Sequence, residues 1–111
     1  MQISEKDIEQ VISRYENGDY HGSLVLAKKL IESYSTSSEL CNICGVICLD
    51  MRRYSEALEY FKDAIRLQPN FIEAYNNAGT LFMIIGQLDD ARGCFETALK
   101  LNYNHADSHY N

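Results

Sequence analysis

Residues 54–67 read YSEALEYFKDAIRL, and residues 88–101 read LDDARGCFETALKL, so Ala57, Phe61, Ala64 and Leu67 recur as Ala91, Phe95, Ala98 and Leu101 thirty-four places on. The agreement spreads outward: Gly45 falls on Gly79, and a second shift backward sets Tyr20 under Tyr54, Leu24 under Leu58 and Leu30 under Ala64. Gly18 and Gly86 agree as well, with Arg52 between them. Inside the repeat, Leu40, Cys44, Ile47 and Cys48 lie at helical spacing, as do Ala57, Leu58, Phe61, Ala64 and Ile65. Two helices that cross closely need small residues at the crossing. Gly45 and Gly79 leave that room on the first helix, Ala57 and Ala91 on the second, and Phe61 and Phe95 fill what remains. A period of this length marks a stack of like units, each leaving an apolar face for its neighbour.

The pattern predicts helices over 3–16, 20–33, 38–51, 55–68, 72–85 and 89–101. Thr36-x-x-Glu39 reads as a capping box for the third. Gly18 and Gly86 read as left-handed stops, and Arg52, which lacks that freedom, predicts a strained or differently shaped turn.

The 111 residues suffice for one domain, and one proline with six glycines leaves little for long linkers. The charge of −6 and ten scattered basic residues, adjacent only at Lys28-Lys29 and Arg52-Arg53, argue against nucleic acid. No apolar run reaches the roughly 18 residues that a membrane span needs. The opening Met1-Gln2-Ile3-Ser4-Glu5 lacks the basic head and apolar stretch of a signal peptide. A cytoplasmic protein with four reduced cysteines is expected.

These residues resemble the tetratricopeptide repeat. The second unit reads Cys41-x2-Cys44-Gly45-x2-Cys48, Ala57-x3-Phe61, Ala64 and Pro69. The third reads Tyr75-x2-Ala78-Gly79-x2-Phe82, Ala91-x3-Phe95 and Ala98, with Tyr103 in the place of the proline. The first is degenerate: Val11 replaces glycine, and Ser23 and Ala27 replace alanine and phenylalanine. The units are 1–37, 38–71 and 72–105, followed by the start of a truncated fourth repeat at 106–111. The resemblance implies an all-α, right-handed α-solenoid of antiparallel helix hairpins, whose first helices line a concave groove. In this sequence the groove residues are then Glu5, Ile8, Glu9, Ile12 and Tyr15; Glu39, Asn42, Ile43, Val46 and Leu49; Glu73, Asn76, Asn77, Thr80 and Met83; and Asp107, Tyr110 and Asn111.

Glu5, Glu39, Glu73 and Asp107 form an acidic column at the repeat period, a placement that the helix dipole favours by itself. Asn77 and Asn111 match the asparagine ladder of arrays similar to O-linked N-acetylglucosamine transferase, which holds a peptide backbone; Ile43 and Glu9 interrupt it. The family's clamp for a chaperone's C-terminal carboxylates needs Lys and Arg that the matching positions lack. The resemblance thus implies a scaffold for a protein or peptide partner carrying apolar anchors and basic residues, with no cofactor and no catalysis. One alternative is the N-terminal repeat region of a larger protein, such as a transferase whose catalytic domain lies elsewhere.

A cysteine-based metal or redox module is the outlying alternative. Cys41, Cys44 and Cys48 share a helix face, and Cys41-x2-Cys44 has ligand-like spacing. All three also fall on packing positions, where free cysteine acts as a small hydrophobe. His105 and His109 supply only two ligands, and His21 has no visible partner. Finally, Ala98, Leu99 and Leu101 at the open end, with Ile8, Ile12, Tyr15, Val46 and Met83 in the groove, are expected to expose apolar surface. Homo-oligomers are expected from it, formed end to end or by a terminal segment entering another copy's groove.

Overall fold

The computed structural model describes the backbone of residues 3–110 and the side chains of residues 3–103. Six helices follow one another: α1 (Glu5–Glu16), α2 (Tyr20–Ser33), α3 (Ser38–Asp50), α4 (Tyr54–Leu67), α5 (Ile72–Ile84) and α6 (Leu88–Tyr110). They pair as hairpins α1/α2, α3/α4 and α5/α6, and the hairpins stack through α2 on α3 and α4 on α5. This is the all-α solenoid that the resemblance implies.

The three hairpin turns share one motif. Asp19, Arg53 and Gln87 donate their backbone N–H to the carbonyls of Arg14, Cys48 and Phe82, at 2.9, 2.8 and 2.8 Å. Each closure needs a left-handed residue just before it. Gly18 and Gly86 supply φ values of 85° and 83°, and Arg52 adopts 62°. The Arg52 turn therefore keeps the shape of the others, at a steric cost of about 1–2 kcal/mol for a residue with a Cβ.

Two local expectations are corrected. The cap of α3 is Ser37, whose hydroxyl accepts from the Leu40 N–H at 3.2 Å, and not Thr36 in a capping box. The sixth helix does not stop at 101 but runs to Tyr110. Asn102-Tyr103-Asn104-His105 holds neither glycine nor proline, and Tyr103 stands where Pro69 follows α4.

The core explains the degenerate first unit. A Cβ on Gly45 would collide with the Phe61 ring, and one on Gly79 would lie 2.8 Å from Phe95. In the first hairpin the sizes are exchanged: Val11 stands for the glycine and Ala27 for the phenylalanine, and both are fully buried. The Ser23 hydroxyl donates to the Val11 carbonyl at 2.7 Å, which fixes α2 against α1 at this crossing. The larger side chain thus stands on the first helix here and on the second helix in the other two hairpins, and both Val11 and Ala27 belong to the common core while the motif is lost. Cys44, Cys48, Leu40, Ile47, Ala57 and Phe61 continue this core through the second hairpin. Ala98, expected to lie open at the end, is buried, whereas Leu99 is 67% exposed and Leu101 half-buried.

Candidate functional site

The first helix of each hairpin contributes to one cavity of about 270 Å³. Ile12, Tyr15 and Glu16 come from α1, Asn42, Ile43, Val46 and Ile47 from α3, and Glu73 and Asn77 from α5. Three stacked helices can share a wall in this way because the period returns equivalent positions to one side of the solenoid. Four of the lining residues are aliphatic, Ile12, Ile43, Val46 and Ile47, and two are carboxylates, Glu16 and Glu73, with no lysine or arginine among them.

Two polar links join neighbouring first helices across the groove. The Asn77 amide Nδ2 donates to Asn42 Oδ1 at 3.0 Å, and the Tyr15 hydroxyl donates to the Asp50 carboxylate. Asn42 is only 6% exposed, so this amide pair satisfies a polar group inside the wall. The bond to Asp50, aided by burial, pushes the Tyr15 phenol up to about 12. Its ring also leans on Tyr20, centroids 5.3 Å apart.

Of the sequence-predicted groove residues, Ile12, Tyr15, Asn42, Ile43, Val46, Glu73 and Asn77 meet in this cavity. Glu5, Ile8, Glu9 and Glu39 meet in a second hollow with Ile3, so Glu5 and Glu39 of the acidic column do lie together. Ile8, expected open, is buried at 8% exposure, whereas Ile12 and Met83 are exposed. Leu49, Asn76, Thr80 and Met83 line neither space, and the Thr80 hydroxyl is turned to the Asn76 carbonyl at 3.0 Å. The side chains of Asp107 and Tyr110, and Asn111 altogether, lie outside the described residues, as do the side chains of His105 and His109. Glu16, Ile47 and Asp50 were not among the expected residues. The signal for the polar links is an offset of thirty-five, one more than the period, at which both pairs stand.

The profile described as Tetratricopeptide repeat matches residues 48–110, more than half of the chain. The chain belongs to the tetratricopeptide repeat family. Among curated tetratricopeptide-type relatives, Superkiller protein 3 of Saccharomyces cerevisiae is 24% identical over 91 residues, which is 77% of this chain and 6% of that protein. The Cell division cycle protein 16 homolog of Homo sapiens is 34% identical over 62 residues, 56% of this chain and 10% of the relative. The chain thus spans a small part of these relatives' length. In fold it is similar to the second TPR of Spaghetti (RPAP3) bound to the HSP90 peptide SRMEEVD, with a TM-score of 0.82, 23% identity, and coverage of 86% of this chain and 89% of that one.

In this tetratricopeptide array three of the four cysteines are core residues. Cys41, Cys44 and Cys48 are buried, and among the described residues no three side chains of His, Cys, Asp and Glu converge as metal ligands would. Burial pushes all three thiols up, and Cys94 on α6 likewise. Thiolate, the form that binds metal or attacks a disulfide, is therefore disfavoured in the folded chain.

A dependence on alkaline pH follows. Unfolding releases thiols that ionise near the ordinary value of 9.0, while the folded thiols stay neutral. Their contribution is fully present below about pH 9 and is lost as pH rises, and Tyr15 and Tyr60, both raised to about 12, extend the loss above 10.0. The melting temperature should be flat from neutral pH to about 9 and fall beyond it. Cys44→Ala should stay folded, with a moderate loss of stability and a shallower alkaline slope. Thermal melts of both proteins across pH check this. An unchanged slope would remove the cysteines from the account.

Proposed function

We propose that the array is a non-catalytic scaffold that holds a peptide or protein segment in its groove, and that the segment carries aliphatic anchors flanked by Lys or Arg. The observation that supports this is the cavity shared by α1, α3 and α5, whose lining joins the aliphatic Ile12, Ile43, Val46 and Ile47 to the carboxylates Glu16 and Glu73. An aliphatic side chain gains by leaving water there, and a basic neighbour finds opposite charge. The Asn42–Asn77 amide pair adds a donor and acceptor to the same lining, suited to a backbone peptide group. SRMEEVD, held by the Spaghetti domain, is acidic at its end, and this groove's lining carboxylates would repel it. No cofactor, nucleic acid or membrane partner forms part of this reading, and no helix among the described residues is long and apolar enough to cross a membrane. A cytoplasmic setting suits the four free thiols.

The length of the relatives supports a second reading, compatible with the first: the array is the repeat region of a larger protein whose other activities lie elsewhere. We also propose that the isolated chain self-associates through apolar surface.

Synthetic peptides test the groove directly. A panel carrying two aliphatic residues and none, one or two arginines should bind more tightly with each arginine and more weakly with added salt. Val46→Glu and Glu73→Lys should each weaken the best peptide by about tenfold or more, roughly 1.4 kcal/mol. Preference for SRMEEVD over the basic peptides would overturn the proposal.

A further inference from the structure

The groove continues along its helices as well as across them. A second hollow, of about 320 Å³, opens between the N-terminal halves of α1 and α3. Glu5, Ile8 and Glu9 line it from α1 and Glu39 from α3. Each has a counterpart seven places on that lines the shared cavity: Ile12, Tyr15 and Glu16 on α1, and Val46 on α3. Seven residues make two helical turns, so both spaces lie on one face of the same two helices, roughly 10 Å apart.

The two spaces differ in chemistry. The cavity gathers four aliphatic side chains, whereas the hollow gathers three exposed carboxylates and no lysine or arginine. The helix dipole favours an acid in a first turn, which accounts for Glu5 and Glu39 but not for Glu9 in the second turn of α1. Glu5 and Glu9, four places apart, form a like-charge pair that weakens the helix. The ion pairs among the described residues, Arg14–Asp19, Lys28–Glu56, Arg53–Glu56 and Arg66–Asp63, include none of the three. A cation in the hollow relieves this repulsion. The carboxylates do not converge as metal ligands would, so the cation that suits them is one carried on a long, flexible side chain.

We infer that the segment held in the groove is bipartite: an aliphatic anchor fills the cavity, and basic residues on one side of it reach the hollow, toward the N-termini of α1 and α3. The inference rests on the groove reading above and gives it a direction and a spacing. The Asn42–Asn77 and Tyr15–Asp50 bonds tie neighbouring first helices together, so the space between them admits side chains and not a whole helix of about 10–12 Å across. The segment is therefore extended. At about 3.1 Å per residue and three residues per turn, such a chain brings residues three places apart to one side, about 9 Å from each other. The motif is a basic residue three places from the aliphatic anchor.

Fluorescence anisotropy of labelled peptides titrated with the full chain tests this. Four peptides share one aliphatic anchor and carry an arginine pair beside it, three places away, seven places away, or not at all. The three-place peptide should bind tightest, by about fivefold, the upper range for an exposed ion pair. E9Q/E39Q, two exposed changes, should keep the helical circular dichroism spectrum, abolish that preference and leave the arginine-free peptide unchanged. Val46→Glu should weaken all four. A three-place preference that persists in E9Q/E39Q, or equal binding at every spacing, would overturn the bipartite register and leave the groove reading standing. Tightest binding at seven places would overturn the extended segment in favour of a helix. Binding that Val46→Glu leaves intact, or no binding by any of the four, would overturn the groove reading and this inference with it.

Discussion

Phe61→Ala is expected to cost about 3–5 kcal/mol, the range for truncating a buried phenylalanine in a core that cannot collapse onto the gap. Phe61 is fully buried and fills the space that Gly45 leaves on α3. It lies in the cluster that runs from Val11 and Leu24 of the first hairpin to Ala78 and Leu81 of the third. With only three hairpins, each held by its neighbours, the loss at the middle one is a loss for all, so one cooperative transition should move to lower denaturant. Sequence alone ranks Phe95 beside Phe61, because the motif is the same. The structure separates them: Phe95 is half-buried in the terminal hairpin, so Phe95→Ala should cost less. Urea titrations followed by circular dichroism decide the matter. An unchanged midpoint in Phe61→Ala would refute the thirty-four-residue register.

What was legible in the sequence is what the period repeats. Gly45 and Gly79 answer to Phe61 and Phe95, and five of the six helices begin and end within about two residues of the predicted limits. Less legible was what happens once only. Thr36 and Ser37 are adjacent hydroxyls, and only the backbone path decides which one accepts from α3. The end of α6 had no glycine or proline to mark it, and the helix runs on. Groove contacts between hairpins were the least legible, since they join residues of different units. The family geometry brings Ile12, Val46 and Asn77 to one side, but it does not say that Asn42 turns inward to accept from Asn77 or that Tyr15 reaches Asp50. Those bonds depend on how far one hairpin is rotated over the next, which is set by packing and not by the register.

Gly45→Val combined with Phe61→Ala should be less damaging than the two changes predict separately. Alone, Gly45→Val puts a branched side chain where even a Cβ meets the Phe61 ring, and overpacking of this kind costs about 1–3 kcal/mol. Alone, Phe61→Ala leaves a void of nearly the opposite sign. Together they restore the residue types that the first hairpin carries at these two repeat positions, Val11 and Ala27, both fully buried in one cluster. The new valine enters the space the ring has left, so the double change should recover about 1–3 kcal/mol relative to the sum of the single costs, as contacting residues do in a double-mutant cycle. The recovery should be incomplete, because valine and alanine together are smaller than glycine and phenylalanine, which leaves the cluster that includes Leu40 and Cys48 underfilled. Four urea curves complete the cycle. Strict additivity would mean that Val11 and Ala27 do not compensate each other, and that the first hairpin is held by something other than this exchange of sizes.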